Sequence, residues 1–333
     1  MKTTHRIVLV MLFAICVFTA TSYPADYIRV GSFNIANFGA SENGEYERSL
    51  VSLVNMILEM NADVIALQEI EPTELGTQQV ERLTKLLNKA ASYYETSAYD
   101  YVIAEEHTGD ETVAYLWRNP VDLESEINLM EHEEDPDDDE VPTFQRVPHY
   151  ALFSAGNYDF YLVNCHLYTK LKSGSSEGRG DEFDAIVEWL KDLAGETEKD
   201  AVVVGDFNRF LNGKSAWQQL MIQGHSQWFS FPLLKGIENE VSGFDPKTDE
   251  APEDKYSTTT SKKKSIYDQI LISKGSYYEF TNSPQFGVDV GIVAFDRDEQ
   301  FKWATEKWHD AIKMLSDHRP IWIRLRTDKQ DDD

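Results

Sequence analysis

Ala201-Val202-Val203-Val204-Gly205-Asp206-Phe207-Asn208 is the stretch that decides how the chain is read. Ala201–Gly205 is too short for an ordinary helix and rich in valine. It predicts a strand buried on both faces, the kind found inside a sheet covered by helices. Asp206 and Asn208 come where that strand ends. An aspartate there is most often a turn former or a helix cap, so one such residue decides nothing.

The same arrangement recurs along the chain. Asn34 closes the strand Ile28–Asn34, and Gln68-Glu69 follows Val64-Ile65-Ala66-Leu67. His166 follows Tyr161-Leu162-Val163, Asp268 lies within Ser265-Ile266-Tyr267-Asp268-Gln269-Ile270-Leu271, and Asp317-His318 precedes Pro320-Ile321-Trp322-Ile323. Sites in α/β sheets form just outside strand ends, so this recurrence points to one convergent site.

Helices fill the intervals. Tyr46–Met60 carries Leu50, Leu53, Val54, Ile57 and Leu58 at helical spacing, and Gln78–Ala90 carries Val80, Leu83, Leu86 and Leu87 on one face. Further helices are expected at Glu182–Leu193 and Lys302–Leu315. Further strands are expected at Tyr101–Ala104, Thr112–Trp117, His149–Phe153, Phe160–His166, Ile266–Ser273 and Ile321–Arg326. Lys172–Gly180 and Lys235–Lys264 read as loops, the second long enough to be functional.

Composition narrows the class. Hydrophobic residues make up 41% of 333, which excludes global disorder. The formal charge of −27 excludes a basic nucleic-acid coat, and two cysteines exclude a disulfide scaffold. Residues 1–22 have the layout of a secretory signal peptide: Lys2 and Arg6, the apolar run Ile7–Phe18, then Ala20 and Ser22 as a small-x-small cleavage signal. Cleavage would leave the remainder two units more negative, with Cys165 alone. A secreted or periplasmic protein without a stable membrane anchor is expected.

The side chains gathered at the strand ends suggest a reaction. Carboxylates with an amide suit a hard, partly hydrated cation such as Mg²⁺ or Mn²⁺. Two histidines near carboxylates suit proton transfer. Together they point to metal-assisted phosphoester hydrolysis. Zinc fits less well, since there is no H-x-x-x-H or cysteine cluster.

Five segments in order carry a resemblance: Ser32-Phe33-Asn34-Ile35-Ala36-Asn37-Phe38-Gly39, Ala66-Leu67-Gln68-Glu69-Ile70, Gly205-Asp206-Phe207-Asn208, Tyr267-Asp268-Gln269-Ile270 and Ser316-Asp317-His318-Arg319-Pro320. They resemble the ordered motifs of the endonuclease/exonuclease/phosphatase family, and the chain is most similar to its deoxyribonuclease I branch. The resemblance implies a four-layer α/β sandwich, with two packed mixed β-sheets flanked by helices. It replaces the two-domain expectation from length with one domain over 23–327 and an acidic tail at 328–333.

The resemblance also implies roles. Glu69 resembles the principal Mg²⁺ ligand, with Asn34 beside it and Asp317 as a second acidic metal-site residue. His166 and His318 resemble the catalytic histidines, with Glu105 and Asp268 as their respective partners; Glu106 is adjacent to Glu105 and open to a one-residue shift. Asp206 and Asn208 would hold the phosphate, the metal or the attacking water. Arg146 resembles the arginine that contacts phosphate, as Asn34 also would.

The activity implied is DNA hydrolysis by in-line attack of water, with RNA as another polymer substrate and a monomeric enzyme. His318 is taken as base and His166 as acid, an assignment that could be reversed. Lipid headgroups or other small phosphoesters are the alternative substrates, with Trp228-Phe229-Ser230-Phe231 as the one candidate membrane hairpin. A non-catalytic binding module is a third class. The acidic run Glu131–Glu140 is a candidate structural Ca²⁺ loop or a solvated one. Lys262-Lys263-Lys264 is a candidate contact to nucleic-acid phosphates.

Overall fold

The computed structural model describes residues 26–39, 49–106, 110–130, 144, 146–167, 178–196, 199–208, 229–244, 251–260, 264–297 and 315–329. Its first strands are β1 (Tyr27–Phe38), β2 (Val64–Ile70), β3 (Tyr99–Ile103), β4 (Thr112–Arg118), β5 (Asp122–Leu123) and β6 (Asn128–Leu129). They are followed by β7 (His149–Ala155), β8 (Tyr158–His166), β9 (Ala201–Asp206), β10 (Phe229–Ser230), β11 (Asp268–Ser273), β12 (Val290–Ile292) and β13 (Ile321–Arg326). The helices are α1 (Leu50–Met60), α2 (Glu74–Tyr94), α3 (Gly178–Leu193) and α4 (Pro232–Glu240).

The strands form two mixed sheets. The first has the order β12-β13-β1-β2-β4-β3; the second has the order β10-β11-β9-β8-β7-β5, with β6 also paired to β7. Within each, one adjacent pair is parallel, β1 with β2 and β8 with β9. Strand alternation then sets the layers. Ile28, Val30, Val64, Ala66 and Tyr115 of the first sheet meet Phe153, Phe160, Leu162, Val202, Val204 and Ile270 of the second in the central core. The opposite face of the first sheet, with Phe33, Ile35, Ile65 and Leu67, packs under Leu53 and Ile57 of α1 and Val80, Leu83 and Leu87 of α2. Phe183, Ile186 and Leu190 of α3 and Leu233 and Ile237 of α4 join the second sheet's core. This is the α/β sandwich that the sequence implies.

A polar seam crosses the central core and fixes the sheets against each other. Gln68 Nε2 donates to Asn164 Oδ1 (2.7 Å) and to Ser32 Oγ (3.1 Å), and Asn164 Nδ2 donates back to the Leu67 carbonyl (3.0 Å). The Tyr115 hydroxyl donates to the carbonyls of His149 (2.8 Å) and Leu162 (3.1 Å). Buried polar groups satisfied in this way specify one alignment, because a slip would orphan each of them.

Helix ends follow local chemistry more than the apolar pattern. Ser49 caps α1 by accepting from Ser52 N–H, ahead of Leu50, and residues 46–48 of the expected helix lie outside the described residues. Thr73 caps α2 through Gly76 N–H, so the helix starts at Glu74, ahead of Gln78, and it runs past Ala90 to Tyr94, where Glu95 in the left-handed region ends it. Phe229 and Phe231 are buried against Phe183, so this part of the candidate membrane hairpin is core. The signal peptide, the acidic run 131–140, residues 172–177, Trp228, Lys262-Lys263 and the helix expected from Lys302 to 314 lie outside the described residues. Among the described residues no helix is long and apolar enough to cross a membrane.

One glycine is required by the sheet. Gly205 has φ +143°, and a Cβ on it would sit 1.8 Å from the Cys165 carbonyl oxygen on the adjoining strand. Gly205→Ala is expected to cost about 3 kcal/mol or more. The thermal unfolding midpoint of the variant checks this, and a midpoint equal to wild type would contradict the packing described.

Candidate active site

Register places three functional side chains abreast. The parallel pairing of β8 with β9 sets His166 opposite Asp206, and the antiparallel pairing of β9 with β11 sets Asp206 opposite Asp268. Neighbouring strands lie about 4.8 Å apart, so the three form a row at one end of the second sheet. His318 joins them from the turn before β13, in the other sheet. That turn is tied to β1 by Ser316, whose Oγ donates to the Asn34 carbonyl (2.7 Å) and accepts from His318 N–H (3.0 Å).

Both imidazoles are held the same way. His318 Nδ1 lies 2.8 Å from Asp268 Oδ2, and its Nε2 lies 3.4 Å from Asp206 Oδ2. His166 Nδ1 lies 2.7 Å from Glu111 Oε1, and its Nε2 lies 3.6 Å from the same Asp206 oxygen. A carboxylate at Nδ1 fixes the tautomer and leaves Nε2 for proton exchange. Burial works to keep both rings neutral, but the surrounding anions win. His166 is raised by its bond to Glu111 and the charges of Asp206, Glu111 and Glu69. His318 is held well above its ordinary value by Asp268 and Asp206. Burial pushes the Asp268 carboxyl up, against the opposing pull of His318.

The partner of His166 is therefore Glu111, which corrects the expectation of Glu105. Glu105 is exposed in the turn after β3, and the neighbouring Glu106 offers only its backbone carbonyl, to His149 Nε2 (2.9 Å). Glu111 stands at the head of β4. Because β4 runs antiparallel to β2, its first residue arrives at the end where β2 delivers Glu69. Glu111 also anchors Arg146, with Oε2 3.2 Å from Nε. Among the described residues Arg146 Nη1 has no partner.

Glu69 sits on a deformed strand. The register of β1 against β2 shifts between Asn34 and Phe38, and that of β2 against β4 shifts between Leu67 and Ile70. Ala36, Asn37 and Glu69 have positive φ of 53°, 52° and 59°. Such bulges re-aim a side chain at the edge of a site. Glu69 Oε1 accepts from Asn34 Nδ2 (2.8 Å) and Oε2 from Asn37 N–H (3.0 Å).

Asn34, expected beside the metal and on the phosphate, is fully buried and does not line the cleft. Its amide nitrogen braces Glu69 and Asp206 (3.2 Å), and its Oδ1 accepts from Ala36 N–H (3.0 Å). Asn208 lines the cleft, with its N–H on Asp206 Oδ1 (2.7 Å) and its Nδ2 on the Leu167 carbonyl (2.7 Å). Asp317 also lines the cleft, exposed at its rim.

The cleft holds about 420 Å³ and is strongly acidic. Glu69, Glu71, Asp110, Glu111, Asp206 and Asp317 line it, against Arg146 as the one permanent cation among its described residues. Burial, together with the charges of Asp110, Glu111 and Glu69, raises the Glu71 carboxyl. An anionic substrate would be repelled from such a surface unless a cation neutralised it. Two triplets have ligand atoms close enough to hold a metal: Glu69, Glu111 and His166, and Asp206, Asp268 and His318. In each, a histidine–carboxylate hydrogen bond already joins two members. Glu69 is freer, since each of its oxygens keeps lone-pair capacity beyond one N–H bond, and an oxygen donor set of this kind fits a hard divalent cation.

Two histidine–carboxylate pairs converging on an acidic, cation-demanding cleft define a phosphoester hydrolase. The chain belongs to the endonuclease/exonuclease/phosphatase family, whose model matches residues 31–318. It is 24% identical to mouse deoxyribonuclease gamma over 312 residues, covering 91% of this chain and 86% of that protein. Among solved structures it is similar to TDP2 from Caenorhabditis elegans, with TM-score 0.54 at 15% identity over 93% of this chain and 77% of that one. An endonuclease/exonuclease/phosphatase family protein from Bacteroides thetaiotaomicron also gives TM-score 0.54, at 17% identity over 91% and 95% of the respective chains.

Two outcomes follow from this geometry. Glu111→Gln is expected to lower kcat for phosphodiester hydrolysis by about a hundredfold or more, and Glu105→Gln to change it less than about twofold; steady-state rates on one phosphodiester decide between the carboxylates. The second concerns pH. Both imidazoles titrate above 6.5 in the metal-free fold, so above 6.5 the folded chain keeps protons that the unfolded chain releases. The stability they contribute is complete below 6.5 and is lost as pH rises through the folded values. In EDTA the unfolding midpoint should fall from pH 6.5 upward, and His166→Gln/His318→Gln should flatten that fall.

Proposed function

We propose that the protein is a secreted, divalent-cation-dependent endonuclease that hydrolyses DNA. The observation that carries this reading is the pair of imidazole Nε2 atoms facing one Asp206 oxygen, each ring fixed at Nδ1 by its own carboxylate. That arrangement suits an in-line displacement, which needs a base on one side of phosphorus and an acid on the other. His318 Nε2 takes a proton from water as its oxygen bonds to phosphorus. His166 Nε2 gives a proton to the leaving oxygen as the second phosphorus–oxygen bond breaks. Arg146, which lines the cleft, would offer its guanidinium to the phosphoryl oxygens, where charge accumulates. Glu69, braced by Asn34 and Asn37, would hold the cation, with Mg²⁺ or Mn²⁺ the best match. The cation, when bound, supplies charge that offsets the carboxylates, lowers nearby imidazole pKa values and polarises the phosphoryl group.

DNA is favoured over small phosphoesters by the relation to deoxyribonuclease gamma across most of both chains. The leader-like residues 1–22 support export. The acidity of the chain opposes DNA at long range, so binding must rest on local contacts, with Lys262-Lys263-Lys264 before Tyr267 as the basic candidate.

Supercoiled-plasmid cleavage by the chain lacking residues 1–22 tests the reading. Nicking in Mg²⁺ that EDTA abolishes, and that His166→Ala lowers by about 10²-fold or more, is the expected result. A folded protein that leaves the plasmid intact would overturn the assignment to DNA and move the substrate to lipid headgroups or small phosphoesters.

A further inference from the structure

Ser257-Thr258-Thr259-Thr260 falls within the stretch expected to be a loop, yet all four residues are buried. Their polar atoms account for this. The Thr258 hydroxyl oxygen accepts from the N–H groups of Tyr267 (2.8 Å) and Asp268 (3.0 Å) and donates to the Ser265 carbonyl (3.4 Å). Both of its lone pairs are thus engaged by backbone N–H groups. The Thr258 carbonyl accepts from Arg319 N–H (2.7 Å), Thr259 forms a bridge with His318, and Thr260 N–H donates to the Asp317 carbonyl (2.9 Å). The segment is a strap with one edge on the backbone that carries Asp268, in the second sheet. Its other edge lies on the turn that carries His318, which leads into the first sheet.

Arg319 anchors the strap and is itself only 2% exposed. Its Nη1 donates to the carbonyls of Asp254 (2.6 Å) and Ser257 (3.0 Å), and its Nε and Nη2 fork onto Asp296 (2.7 and 2.6 Å). A guanidinium is buried at high cost unless its donors are met in this way, and a lysine cannot reproduce the fork. Neither Thr258 nor Arg319 lines the cleft.

We infer that Thr258 and Arg319 are positioning residues: the strap they form sets the Asp268 carboxylate against His318 Nδ1 across the junction of the two sheets. The inference rests on the reading of that pair as the proton-transfer couple. Its loss misplaces the couple without removing a group that touches substrate.

The test uses the full chain with Thr258→Val, Thr258→Ser and Arg319→Lys, and two readouts. The first is kcat and KM for plasmid nicking in Mg²⁺. The second, independent of activity, is the downfield proton resonance of the His318 Nδ1–H···Asp268 bond in the folded, metal-free protein. Thr258→Val is expected to lower kcat about tenfold or more with KM within about twofold, while Thr258→Ser keeps about half of kcat or more. Thr258→Val should also lose the resonance, which Thr258→Ser keeps. A folded Thr258→Val variant with wild-type kcat and resonance would overturn the inference. So would Thr258→Ser failing as badly as Thr258→Val, since the methyl packing would then be what matters. If Thr258→Val does not fold, Arg319→Lys decides by the same readouts. If the wild-type protein cleaves no DNA, the functional reading fails by itself, and the resonance still decides the fate of the strap.

Discussion

One oxygen atom, Oδ2 of Asp206, is the point on which the site depends. It faces Asn34 Nδ2 at 3.2 Å, His318 Nε2 at 3.4 Å and His166 Nε2 at 3.6 Å. These three groups come from both sheets, so the contacts exist only while the sheets keep one alignment. The Ser32–Gln68–Asn164 seam supplies that alignment from inside the core, close behind the row of His166, Asp206 and Asp268. Asp206 in turn owes its place to Gly205, because any side chain there would collide with Cys165 and prise β9 from β8.

Much of this was legible in the sequence, for a definite reason. Buried strands of an α/β sandwich are short apolar runs, and their polar endings stand out against them. Asp206, His166, Asp268 and His318 announced themselves in that way, and the structure brings all four together. Glu111 escaped. It precedes its strand where Glu105 follows one, and only the antiparallel pairing of β4 with β2 shows that the head of β4 and the tail of β2 share an end. The apolar run Thr112–Trp117 was visible, and Glu111 stands directly before it.

Asn34 shows a different limit. Its position next to a strand end was readable, but its task was not. Whether an amide faces the cleft or braces two carboxylates depends on the bulge that gives Ala36, Asn37 and Glu69 positive φ, and no composition or period announces that bulge. The strap at 257–260 was hidden for a related reason: a run of hydroxyl residues looks like surface, and only its saturated hydrogen bonds make burial tolerable. The acidity of the cleft, by contrast, is simple electrostatics. Carboxylates that repel one another cost stability, and the same repulsion makes the site receptive to a cation.

The bond from Ser316 Oγ to the Asn34 carbonyl joins residues 282 positions apart. Closing so long a loop is entropically costly, and the cost is smaller when the chain between is already ordered. The first strand made and the last must therefore meet before His318 stands opposite Asp206. A chain whose β1 and β13 have not met carries these side chains without their arrangement. The arrangement around Asp206 is thereby a property of the closed sandwich, with both ends of the chain in place, and of no shorter stretch of it.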